Sequence, residues 1–257
     1  MADCFAIRGN CGNLAQQVSD VQFPWEASPI KVHARNLTMA DYFMDRFPVT
    51  AGDYAKHLAA SGYVPADTHN WLKNWEWSGK TAPPALPSER ERVPVTYVSF
   101  AEAGSYCKAH GKRLPSTIEW QYAGQGTTKR AFPWGDRDDT GCRPELHNTR
   151  TIPGALPVDM YGANCSSVFN VSDLIGNVWQ MTSSFTDLHT RRVVLKGGSN
   201  YRPMYKPGVP SFNLNTADFY YPQARSLVLH NIAFLMSESF ERSGTVGFRC
   251  VRDVAAE

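Results

Sequence analysis

The chain has 257 residues, 42% of them apolar, with 26 Lys+Arg against 24 Asp+Glu and a net charge of +2. That apolar content supports a packed core and excludes a disordered or fibrous chain, while the near-neutral charge argues against nucleic acid or an anionic membrane as partner. No apolar stretch approaches the ~18 residues a membrane helix needs, and Met1 to Asn10 carries no apolar run of the signal-peptide kind.

In chain order, residues 1–22 read as a polar leader or linker, and residues 23–257 as a single domain opening at Phe23-Pro24-Trp25. Val32 to Met44 has strand character. Thr50 then precedes an amphipathic run, Ala51 to Ser61, closed by Gly62, which predicts a capped helix with a glycine stop. Asn70 to Trp77 holds Trp71, Trp75 and Trp77; exposed rings could stack on sugars, but the i, i+4 pair Trp71/Trp75 describes a buried helix face, and core placement is expected. Pro83, Pro84, Pro87 and Pro94 make 78–94 an irregular loop. Ser99 caps a second predicted helix ending at His110-Gly111, and Ser116 with Glu119 forms a capping box for a third, through Ala123. After Gly124 the pattern is short strands and Gly/Pro/Asn turns. Helices early and loop-rich β structure late predict one α+β domain with little regular secondary structure.

Six cysteines (Cys4, Cys11, Cys107, Cys142, Cys165, Cys250) contain no CxxC pair and no zinc-finger spacing. Their even number permits disulfides, and sequons at Asn36, Asn164 and Asn170 permit glycosylation. Both tilt the reading toward an extracytoplasmic or secretory location.

Tyr106-Cys107 through Gly111-Lys112-Arg113-Leu114-Pro115, continuing to Glu119-Trp120-Gln121-Tyr122-Ala123, resembles the AYCxWxGKRLPTExEWEYA block of the formylglycine-generating enzyme, or sulfatase-modifying factor, superfamily. Four more blocks follow in the family's order: Phe132-Pro133-Trp134-Gly135-Asp136, Gly176-Asn177-Val178-Trp179-Gln180, Gly197-Gly198-Ser199 and Gly247-Phe248-Arg249-Cys250. The resemblance spans roughly residues 30–253. It implies a formylglycine-generating-enzyme domain related to the C-type lectin fold. It also implies a disulfide between Cys107 and Cys250; Cys142–Cys165 is a weaker pairing that would close a short loop.

The family's enzymes oxidise a cysteine with oxygen, using two Cu(I)-binding thiols three and eight residues after the serine of GGS. Soft thiolates suit Cu(I). Here those positions are Arg202 and Pro207, and no cysteine lies between Cys165 and Cys250. Sulfatase activation by that mechanism is therefore excluded. The HxxxHxE iron motif of the superfamily's sulfoxide synthases is also missing, so a metal domain would come from another chain or an additional domain, or there is none.

The resemblance further implies calcium. One family site corresponds to Asn148 and Thr149, the other to Asn177, Val178 and Gln180. Gln180 stands where the family has Glu, which removes a charge from an ion that wants about six to eight oxygens. The competing reading is a turn held by amide hydrogen bonds. Iron or copper is the other metal class considered; neither NAD nor flavin is expected. His189 and His230, with Asp187, Glu238 or Glu241, could supply a two-His-one-carboxylate iron site. His189, His230 and Tyr221 are thus the candidate catalytic residues, and Ser199, Asn200, Tyr201, Arg202 and Tyr220 the candidate ligand-binding residues. A guanidinium at Arg202 favours an anionic group.

Three functions stay open. One is a small-molecule oxidoreductase of the superfamily's non-haem-metal branch. Another is a non-catalytic lectin-like module for carbohydrate, peptide or a partner protein. The third is an accessory domain of a longer chain. In each, the partner is a small-molecule or peptide ligand.

Overall fold

The computed structural model describes residues 4–7, 12–18, 31–79, 84–128, 130–137, 139–142, 155–200, 226–227 and 230–254. Residues 1–22, expected as a leader, contribute two strands. β1 (Cys4–Ile7) pairs antiparallel with β4 (Tyr42–Asp45), and β2 (Gly12–Val18) pairs with β3 (Lys31–Leu37). The strand expected over Val32–Met44 is thus two strands, separated at residues 38–41 and belonging to different sheets. Ile7, Tyr42 and Met44 bury their side chains in the core, which is what draws the N-terminal segment onto the domain.

The three predicted helices form, and their caps are those the sequence encodes. In α1 (Ala51–Ser61) the Thr50 hydroxyl accepts from the Asp53 N–H. Gly62, at φ +63°, ends the helix by donating its N–H to the Leu58 carbonyl. Capping boxes open α2 (Phe100–Ala109) with Ser99 and Glu102, and α3 (Thr117–Gln125) with Ser116 and Glu119. α3 runs past Gly124 to Gln125, and that glycine serves close packing: a Cβ there would lie 2.4 Å from the Leu227 side chain.

A four-stranded sheet of order β7-β6-β5-β8 follows, built from β5 (Trp179–Asp187), β6 (Arg192–Lys196), β7 (His230–Phe234) and β8 (Val246–Gly247). Only the β5–β8 pairing is parallel. A short α4 (Glu238–Glu241) precedes β8, and β9 (Val251–Asp253) returns to β4, completing the three-stranded sheet β1-β4-β9. The mix of helices with small sheets is the α+β arrangement expected.

Two hydrophobic clusters hold these elements. One joins α1 and α2 to β5, β6 and Phe248; Trp71 and Trp75 lie in it, in the core as expected, although their segment is a series of turns rather than a helix. The other gathers Trp120 and Tyr122 of α3 with Leu174, Ile175 and Val251. Cys107 of α2 and Cys250, just before β9, are disulfide-bonded, as are Cys142 and Cys165.

Candidate functional site

The chain leaves β6 through Lys196-Gly197-Gly198-Ser199-Asn200, and this turn is built against a second one, Gly176-Asn177. Gly176 donates its N–H to the Gly197 carbonyl at 2.7 Å, and Asn200 donates to the Asn177 carbonyl at 3.3 Å. Glycine is required at 197. Its φ is +95°, and a Cβ would sit 2.7 Å from the Leu174 carbonyl oxygen. Ser199 and Asn200 are consequently buried.

Beneath the turn is a polar cluster that neither motif nor spacing announced. Lys196 is fully buried, its Nζ donating to the Leu227 carbonyl at 2.6 Å and to Gln121 Oε1 at 3.4 Å, with the Trp120 ring 5.4 Å away. Those contacts favour the ammonium, but burial outweighs them and pulls its pKa down to about 7. A lysine closing the apolar strand RVVLK reads as a surface residue, so nothing in the sequence marked it. His230 of β7 stands opposite Lys196 in the β6–β7 register and is buried with it.

Gln180 organises the neighbouring layer. Its Oε1 accepts from Trp120 Nε1 at 2.8 Å and from Arg249 Nε at 2.7 Å, while its Nε2 donates to the Asp173 carbonyl at 2.7 Å. The remaining Arg249 donors reach the carbonyls of Asp45, Arg46, Ser172 and Asp173. This guanidinium is wholly buried, and desolvation draws its pKa down to about 10. Asp173, also desolvated, is pushed up to about 6 against the pull of Arg249.

The candidate metal ligands do not converge as the sequence suggested. His189 is exposed in the turn after β5, where its backbone N–H donates to the Asp187 carboxylate at 2.9 Å. His230 lies at the opposite end of the five-residue β6, on the order of 13 Å along the strand direction. Glu241 accepts from the Phe100 N–H, and Glu238 pairs with Arg242. The two-His-one-carboxylate arrangement is therefore not formed by these residues. Among the described residues no three His, Cys, Asp or Glu side chains cluster for a metal.

At the calcium positions, Asn177 Oδ1 accepts from the Leu156 N–H at 2.8 Å and its Nδ2 donates to the Leu156 carbonyl at 2.9 Å. With the Gln180 amide oxygen also taken by N–H donors, this segment is a turn held by amide hydrogen bonds. The φ of +64° at Asn177 suits asparagine. Asn148, Thr149, Tyr201, Arg202, Tyr220 and Tyr221 lie outside the described residues.

Comparison with known proteins bears on most of the chain. The family model described as "Sulfatase-modifying factor enzyme 1-like domain" matches residues 10–254. Formylglycine-generating enzyme of Mus musculus is 27% identical over 201 residues, covering 61% of this chain and 52% of that protein. "Inactive C-alpha-formylglycine-generating enzyme 2" of the same species is 27% identical over 187 residues, covering 59% and 60%. Hercynine oxygenase of Mycolicibacterium smegmatis is 27% identical over 172 residues, covering 59% and 39%. The chain thus spans between about two fifths and three fifths of the length of these relatives. The solved structure of PvdO from Pseudomonas aeruginosa superposes with a TM-score of 0.60 at 16% identity, covering 97% of this chain and 93% of that one, a likeness of fold.

Proposed function

This chain belongs to the sulfatase-modifying factor enzyme 1-like family, and from that premise we propose that the segment following Ser199 binds an anionic small molecule or peptide without thiol chemistry. The observation that carries this reading is a retained scaffold with altered chemistry. The turn 197–200 is still hydrogen-bonded to 176–177, while the two positions the family uses for copper-binding thiols hold Arg202 and Pro207. A guanidinium and a proline ring cannot ligate a soft metal. A guanidinium can hold a carboxylate, sulfate or phosphate through two parallel hydrogen bonds.

The test is a panel of small carboxylates, phosphate esters and sulfate esters, screened by thermal shift and followed by calorimetry on the wild type and Arg202→Ala. Loss of a bidentate charge-assisted contact should weaken binding by roughly 2–5 kcal/mol while leaving the unfolding midpoint nearly unchanged. A variant that binds as the wild type does, or one that unfolds at much lower denaturant while binding survives, removes Arg202 from the site.

Kinship with hercynine oxygenase favours a second reading, a small-molecule oxidoreductase of the non-haem-metal branch. Only 39% of that relative is covered by the match. His189 and His230 do not meet in an iron centre, so the redox metal of this reading would be held by an additional domain or a partner chain. Metal analysis of the purified full-length protein, with oxygen consumption measured alongside, tests this. Stoichiometric iron or copper with oxygen uptake supports it, and a protein gaining no activity with either metal opposes it.

A further inference from the structure

A cleft of about 950 Å³ opens on the face formed by α1 and the C-terminal end of α2, and no residue of the turn 197–200 lines it. Two histidines line it, one from each helix. His57 is half-buried on α1 and His110 caps α2, and their ring centroids are 5.4 Å apart. Tyr106 packs against both, at 5.0 Å from His57 and 4.3 Å from His110, so the two rings share one aromatic support.

We infer that His57 and His110 form a two-imidazole site for a divalent transition metal of the copper or zinc type, with coordination positions left open toward the cleft. Two features of the geometry support it. His110 Nδ1 lies 2.8 Å from the Tyr106 carbonyl. A carbonyl only accepts, so the proton sits on Nδ1 and the Nε2 lone pair is free for a metal; metal-bound histidines are commonly oriented by this kind of contact. The ring separation is also right. Two imidazoles bound at about 2.0–2.1 Å to one tetrahedral ion have centroids about 5 Å apart.

Among the described residues no third His, Cys, Asp or Glu joins the pair. Water or a ligand in the cleft therefore completes the coordination, and imidazole donors place copper above zinc in affinity. This inference is independent of the anion-binding reading, because it uses none of that reading's residues.

The full chain is titrated with CuCl2 and with ZnCl2 by calorimetry, and the copper form is examined by electron paramagnetic resonance. One equivalent should bind. The spectrum should show two imidazole nitrogens in the wild type and one in either His57→Ala or His110→Ala, with affinity falling at least about tenfold in each. His69→Ala, on an exposed histidine outside the cleft, should change neither. Metal-free melting verifies that the variants fold, and His57→Gln and His110→Gln replace any that do not. Failure to bind either metal, or an unchanged nitrogen count and affinity in both cleft variants, overturns the inference.

Discussion

Arg242 grips Glu102 from 140 residues away, its Nε and Nη2 donating to the two carboxylate oxygens at 3.2 and 2.6 Å, with both side chains withdrawn from solvent. Glu102 is already the capping-box residue of α2, accepting from the Ser99 N–H at 2.7 Å. Arg242 also holds the carbonyls of Asp67 and His69. One carboxylate therefore starts a helix and anchors α4 and the 67–69 segment to it.

Removing one member of this pair leaves an uncompensated buried charge. Arg242→Met should cost about 3–5 kcal/mol in urea unfolding, and Glu102→Gln added to it should recover part of the loss. A single-variant cost under about 1 kcal/mol would show that the pair is not buried in solution.

Gln180 offers a test of its commitments. Gln180→Leu strips the acceptor from Trp120 Nε1 and Arg249 Nε and the donor from the Asp173 carbonyl. A loss of about 3 kcal/mol or more is expected. Because the amide oxygen is spent on N–H donors, the deficit should be equal in EDTA and in calcium. A deficit that widens with calcium would return Gln180 to the ligands of that ion.

The buried Lys196 makes stability depend on pH in a defined direction. Its folded pKa, about 7, lies below the ordinary lysine value. Between these two values the unfolded chain holds a proton that the folded chain does not, so this residue's contribution rises with pH from about 7 upward, by at most about 1.4 kcal/mol per pH unit. Below pH 7 both states are protonated and the full burial penalty remains. Lys196→Met should therefore stabilise the domain more at pH 6 than at pH 9, as read from paired denaturation curves. An equal effect at both pH values would mean that the ammonium is solvated.

The two disulfides should contribute unequally. Cys107–Cys250 closes 143 residues and Cys142–Cys165 only 23, which on loop entropy corresponds to about 5 and about 3 kcal/mol. Cys107→Ala/Cys250→Ala should lower the melting temperature further than Cys142→Ala/Cys165→Ala. The reverse order would show that strain or residual structure in the unfolded chain governs the difference.

The sequence by itself determined the three longer helices and, apart from the C-terminal end of α3, their ends. Thr50 with Gly62, Ser99 with Glu102, and Ser116 with Glu119 are relationships between near neighbours, and a cap works wherever its helix lies. The order of blocks from Arg113-Leu114-Pro115 to Gly247-Phe248-Arg249-Cys250 also identified the family and, through it, the fold and the Cys107–Cys250 bridge. Tertiary structure alone decided which polar groups meet. Gln180 was legible as a departure from the family's Glu, but its bonds to Trp120 and Arg249 join residues 60 and 69 positions away. His189 and His230 fit an iron triad as composition, and the β6–β7 register places them at opposite ends of a strand. His57 and His110 were isolated in sequence, and the packing of α1 on α2 through Tyr54 and Tyr106 brings them together. Caps and motifs are set by local covalent spacing, whereas these pairings are set by how strands register and helices pack, which depends on contacts across the whole core.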